Sequence, residues 1–324
     1  MNQKPVNDND KTFNTKDIPD SYKSSKYFPE FQQAVDAYND LPWEKAKDEQ
    51  IAQKMVYASA VFSSEFYQLM TAALEHAQDK NKSFGYNVPS FGGDDLYNTL
   101  LDVGKEELAG GLYEEDDIKQ DANTAHVINM VNAAWQAEVD VSHIMKTAGY
   151  MPKEGVKPGT KLKEGDIDGV LPSNIINSNP AMTKYLMSVH DNSRIPDAAI
   201  GLIAVSEQYL HHMFQGILDN LPSDAKYDGV KEFFDRHVTI DGAEDGHAAK
   251  MQAILEKNID NPDLLLRVAT EMFVNKHTIY ERTLEGKEIK PEDIKVAPLK
   301  LKDIELDKSC PNIGNCQSIG SSVG

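Results

Sequence analysis

Cysteine is nearly absent from this 324-residue chain, and its only two, Cys310 and Cys316, fall within the last fifteen residues. A core without thiols holds no disulfide framework, no thiolate metal site and no cysteine nucleophile, so its chemistry rests on oxygen and nitrogen donors. Long apolar runs are missing too. The longest, from Ala198 to Val205, is far short of a bilayer span. Residues 1 to 20 are rich in Asn, Asp, Lys and Thr and lack the apolar stretch of a secretory signal, which makes a cytoplasmic location the expectation. Positive charge is in deficit: 33 basic against 52 acidic side chains leave a net charge of −19. Self-repulsion then argues against nucleic acid or an anionic membrane surface as a partner. Period-two runs of β-branched residues are scarce as well, while helical periodicity recurs along the chain, so the expected fold is all-α.

What is present organises into one domain. Residues 1–27 read as a polar N-terminal tail and 291–324 as a C-terminal tail, with a single helical domain at 28–290 between them. Pro42, Pro180, Pro196 and Pro262 mark helix starts, because proline suits the first helical turn, where its missing N–H is not needed. Asp94, Asp95 and Thr124 are candidate caps, and Gly149 and Gly286 candidate C-terminal stops. The stretch 150–178 has several Gly and Pro and no apolar stripe, which predicts a long surface loop.

A buried carboxylate costs several kcal/mol unless it is paired or bound to a metal, so ionisable residues on apolar helix faces are informative. At 100° per residue, Glu207 shares its face with Ile200, Ile203, Ala204, Leu210, His211, Phe214 and Ile217. In a helix expected over about 229–256, His237, Asp241 and Glu244 interrupt a stripe of Val230, Phe233, Phe234, Ala248, Met251 and Leu255. His237 and Asp241 are four apart, so side chains on adjacent turns can reach one ion. Gly242 and Gly246 weaken this helix, and a bulge there would swing His247 inward. Glu107 lies with Leu96, Leu100 and Val103, and His126, in a helix expected to run on to Ala148, with Met130, Ala133, Ala137, Val141, Ile144 and Ala148. Glu65 and His76 share a face with Ala58, Val61, Leu69 and Ala72.

A satisfied buried hydrogen bond would account for any one of these residues taken singly; their conjunction points to a site. His143 groups with Asn129, Asn132, Gln136 and Asp140 and is expected to face solvent. His190 and His277 gain no such support, Glu138 is ambiguous, and the acidic run Glu114–Asp117 reads as a solvated helix end and loop. Carboxylates and imidazoles from several helices, without thiolates, form the ligand set of carboxylate-bridged iron or manganese sites. The paired Glu-x-x-His motifs of ferritin-like proteins are absent, which implies a different helical scaffold.

The segment from Phe233 to His247, FFDRHVTIDGAEDGH, preceded about thirty residues earlier by Glu207 in Ser206-Glu207-x6-Phe214, resembles the C-terminal half of the heme-oxygenase-like non-heme diiron oxidases. The resemblance matches Glu207, His237 and Asp241 to three of that family's ligands. It assigns His247 as the second imidazole, through an enlarged glycine-flanked turn, with Glu244 as the competing residue. The run from Glu106 to Tyr113, EELAGGLY, is similar to the family's first ligand helix and the turn after it, with Glu107 as carboxylate and His126 as imidazole. Glu65 stands where some members add a further carboxylate. The similarity spans about residues 50–260.

The resemblance implies a single helical bundle of the heme-oxygenase-like type, two Fe(2+) per chain, O2 as co-substrate and a small organic substrate of amino-acid, amine or fatty-acid type. It implies no catalytic side chain beyond the metal ligands, and leaves a homodimer and an external electron donor open as partners. Phe214, Tyr209, Phe233 and Phe234 would be pocket walls. Two other readings compete: a non-catalytic helical binding or metal-storage protein, and a heme-oxygenase-like protein using heme, for which His76 is the loosely eligible axial residue. A thiaminase-like hydrolase lacks its cysteine nucleophile here.

Overall fold

The computed structural model describes residues 18–83, 96–109, 125–147, 149–170, 179–241 and 247–296. Among them the chain is almost wholly helical. The helices in order are α1 (Asp20–Lys23), α2 (Phe28–Asn39), α3 (Glu49–Ser83), α4 (Leu96–Ala109), α5 (Ala125–Gln136), α6 (Ser142–Thr147), α7 (Pro180–Ser193), α8 (Pro196–Tyr209), α9 (His211–Leu218), α10 (Asp228–Asp241), α11 (His247–Asn258) and α12 (Pro262–Leu284). No helix in the described residues is long and apolar enough to cross a membrane.

The local signals act as expected at several helix ends. Pro180, Pro196 and Pro262 open α7, α8 and α12. The Asn179 side chain accepts hydrogen bonds from the backbone N–H groups of Ala181 and Met182, and that of Asn261 accepts one from Leu264; each satisfies amides that the first helical turn leaves without a partner. Gly149 and Gly286 follow α6 and α12 with φ of 84° and 69°, the left-handed conformation that ends a helix at little cost only in glycine. Pro42 instead precedes a 3-10 turn, Trp43–Lys47, and α3 begins at Glu49. The expected caps Asp94, Asp95 and Thr124 lie outside the described residues, as does the acidic run 114–117.

Helix α8 lies at the centre. Every residue from Asp197 to Tyr209 is buried, as fits a helix apolar on all sides and covered by neighbours all round. It packs against α3, α11 and α12, while α3 also meets α4, α5 and α7. A Cβ at Gly201 would overlap the Leu265 side chain, so the missing side chain lets α8 and α12 approach closely. Each fully buried aliphatic side chain here contributes about 1.5–3 kcal/mol relative to exposure. The two starts are tied together as well, since the Asn261 amide donates to the Asp197 carboxylate over 2.7 Å.

Two continuous periodic stretches are interrupted in the fold. The helix expected across 126–148 ends at Gln136, and Glu138 adopts φ 64° before α6 begins. Glu138 is exposed and binds Lys226. The stripe around Glu207 is divided at Leu210 between α8 and α9. Of the stretch 229–256, the described residues form α10, up to Asp241, and α11, from His247.

Within 150–178, β1 (Tyr150–Pro152) pairs antiparallel with β2 (Ile167–Gly169), Met151 facing Asp168. Residues assigned to the tails contribute anchors. Ile18 and Tyr22 are buried, and the Tyr22 hydroxyl donates to the Leu255 carbonyl. Ile294 is buried and Asn275 exchanges two hydrogen bonds with the Lys295 backbone.

Candidate functional site

Glu207 lies on α8, two residues before its end, and is buried with the rest of that helix. His247 is the first residue of α11, which packs along α8, and its side chain is completely buried. Its Nδ1 lies 3.3 Å from Glu207 Oε2. First-row metals bind carboxylate oxygen and imidazole nitrogen at about 2.0–2.2 Å, which sets neighbouring ligand atoms of one ion about 3.0–3.4 Å apart. The observed spacing therefore suits two donors of a single cation.

His237 sits on α10 and is buried, its ring centroid 4.2 Å from that of Phe233 and 5.1 Å from that of Phe214, tilted to both. Its Nδ1 is 2.7 Å from the Phe233 carbonyl oxygen. A carbonyl only accepts, so Nδ1 carries the proton, and in the neutral ring the lone pair resides on Nε2. This is the arrangement that fixes a metal-binding imidazole in one tautomer and one orientation.

Glu207 and His237 share one small cavity of about 40 Å³, with aromatic walls from Phe62, Phe66, Phe214, Phe233, Phe234 and Tyr280. Leu210 and Met213 add apolar surface, and Ser59, Ser63, Ser206 and Lys276 add polar groups. Phe214, Phe233 and Phe234 are walls as expected from the sequence. Tyr209 packs instead edge-on against Phe31 and Phe273.

Glu65 is placed elsewhere. It is buried on α3, where Oε2 accepts a hydrogen bond from the Tyr185 hydroxyl at 2.8 Å and Oε1 lies 3.3 Å from Lys276 Nζ. Burial pushes its carboxyl above the ordinary carboxylate range, and the neighbouring ammonium and phenol pull it back down in part. The fold thus gives this acid a lysine and a tyrosine as its partners, and it is absent from the wall of the cavity that Glu207 and His237 line. His76 is separate too, its Nε2 3.0 Å from the Ser193 carbonyl oxygen in a surface groove with His190. His143 does not simply face solvent: it is half-buried, with Nε2 3.2 Å from the Tyr57 hydroxyl, and burial lowers its pKa. The side chains of Glu107, His126 and Asp241, on α4, α5 and α10, lie outside the described residues, as does Glu244 altogether. Among the described residues no three His, Cys, Asp or Glu side chains form a complete metal cluster.

Lys276 escaped the sequence reading. The face test that singled out Glu207 also finds it, because Lys276 stands three residues after Phe273 and four before Tyr280 on α12. A search of family models, of curated proteins and of solved structures finds no match to this chain.

Proposed function

We propose that this chain is an O2-activating non-heme diiron oxidase or oxygenase, built on a heme-oxygenase-like helical bundle and acting on a small organic substrate. The observation that carries the reading is the buried contact of Glu207 with His247, at a spacing suited to ligands of one ion, beside an imidazole of His237 whose tautomer is set by the Phe233 carbonyl. Glu207, His237 and His247 would hold metal, with Asp241, Glu107 and His126 completing the donor set. When bound, ferrous iron supplies the electrons and open coordination positions for O2 chemistry.

The protein's own part is to orient and to dry. Phe214 and Phe233 clamp the His237 ring, which limits its rotation and holds Nε2 in place. The aromatic walls exclude water, so charges inside the cavity interact more strongly than they would in bulk solvent. Glu65 is outside the ligand set in this reading, since Lys276 and Tyr185 already balance it.

The test is an anaerobic ferrous titration of the full chain, followed by exposure to O2. The expected result is about two irons bound per chain, two being what a diiron site needs, with an O2-dependent change in the visible spectrum. The variant His237→Ala should lose iron uptake while its far-ultraviolet dichroism stays that of the parent. An unloaded parent protein, or normal loading of the variant, would refute the assignment.

A further inference from the structure

The ligand assignment leaves a buried phenol and its carboxylate unused beside the cavity. The Tyr185 hydroxyl donates to Glu65 Oε2 over 2.8 Å, and both side chains are shut off from solvent. The Tyr185 ring meets Phe62, a wall residue, at 5.6 Å between centroids, and Phe62 meets the wall residue Tyr280 at 5.2 Å. The cavity, at about 40 Å³, has room for a few water molecules or a diatomic gas but for no organic molecule. An oxidant formed there in this closed state meets protein side chains first. Which of them yields an electron is decided by the proton. A phenol becomes strongly acidic once oxidised, so a buried one is oxidised readily only where a base within hydrogen-bond reach takes its proton. Two neighbouring phenols lack such a base. The Tyr280 hydroxyl contacts the Ser59 hydroxyl and the Met213 thioether, and the Tyr38 hydroxyl has no hydrogen-bond partner among the described residues. Tyr227 does donate to a carboxylate, but that of Glu49 is half exposed and already paired with Lys226.

We propose that Tyr185 is a redox-active residue that gives one electron to the site and its phenolic proton to Glu65. Complete reduction of one O2 to water takes four electrons and four protons. Two ferrous ions becoming ferric supply two of the electrons, Tyr185 the third and a further ferrous ion in solution the fourth, while solvent supplies the protons. At Tyr185 the O–H bond breaks, the proton passes to Glu65 Oε2, and a neutral tyrosyl radical remains beside a neutral carboxylic acid. A one-electron reductant reverses both transfers. Lys276 Nζ, 3.3 Å from Glu65 Oε1, favours the ionised carboxylate at rest, the form that can accept a proton. The charge left uncompensated by the transfer is the Lys276 ammonium. It lies in the same wall as the Glu207 carboxylate, so an opposite charge is at hand to offset it.

The inference rests on the oxidase reading, since the oxidant is made from O2 at the ferrous site, and the experiment keeps the two apart. The full chain is loaded anaerobically with ferrous iron in excess, exposed to O2, frozen at intervals and examined by electron paramagnetic resonance, with bound iron measured on the same samples. The parent should show an organic radical whose hyperfine pattern collapses when the chain is made with ring-deuterated tyrosine. Tyr185→Phe should bind as much iron as the parent and lose the radical, whereas Tyr227→Phe should keep it. The double variant Glu65→Gln/Lys276→Met, which removes the proton acceptor together with its counter-charge, should lose the radical as well. Tyr185→Phe removes a single hydroxyl and is decisive even if the double variant folds poorly. Iron bound without a radical in the parent, or a tyrosyl signal that survives in Tyr185→Phe or in the double variant, would overturn this inference and leave the oxidase reading standing. A parent that takes up no iron would sink both.

Discussion

His247 Nδ1 and Glu207 Oε2 lie 3.3 Å apart in the contact between α11 and α8, both side chains shut off from solvent. Such a pair is either two ligands awaiting a cation or an ion pair that holds the helices together. The variant Glu207→Gln separates the two roles. It keeps the volume and removes the cost of desolvating a carboxylate. For a ligand pair, the metal-free variant should differ from the parent by no more than about 1 kcal/mol in urea unfolding, and iron uptake should be lost. A structural ion pair would instead show a loss of about 3–5 kcal/mol with the metal absent, the usual result of removing one partner from a buried pair.

The second buried pair behaves as a structural element when either member is removed alone. Lys276→Met leaves Glu65 without its counter-charge in the α3–α12 contact, and should destabilise the chain by about 3–5 kcal/mol. Adding Glu65→Gln should restore most of that loss, because Gln still accepts from the Tyr185 hydroxyl and no charge is left in the core. Chemical denaturation of the two single variants and the double variant gives the coupling directly. Losses that simply add would show that the contact carries no energy.

A pH dependence follows from the raised carboxyl of Glu65, whose first cause is burial. A carboxyl that titrates higher in the folded state holds its proton more tightly there than in the unfolded chain. Its contribution to stability is therefore full at low pH and declines as pH rises through the folded value. Relative to the double variant, which lacks this group, the parent should lose stability as pH is raised from about 4, the ordinary carboxylate region, and the difference should level off once Glu65 is ionised. Unfolding free energies of both proteins across that range decide it. A flat difference, or a parent that gains on the variant with rising pH, contradicts the assigned environment.

Some of the site was legible in the chain and some was not, and the division follows the range of the forces. Asn179, Pro196 and Asn261 act on amides within their own first turn, so their effect is readable from a few neighbouring letters. Glu207 was identifiable because an acid amid Ile200, Ile203 and Ala204 must be buried whatever the helix meets. The face test run through 126–148 was less reliable, since it assumed a helix that continues, whereas α5 ends at Gln136. That His247 meets Glu207 follows from the packing of α11 along α8, which no local pattern states.

By itself the sequence determined the helical class, the starts of α7, α8 and α12, the thiol-free donor set and the burial of Glu207. Only the tertiary structure decided which buried charge faces which. Glu65 and Lys276 stand at opposite ends of the chain, on α3 and α12, and nothing local to either says that they meet. Their pairing is set by how two long helices pack, a long-range outcome of burying apolar faces that have no preference for one partner until the whole bundle closes. That closure gave Glu65 a lysine and a tyrosine as partners and put a lysine in the cavity wall.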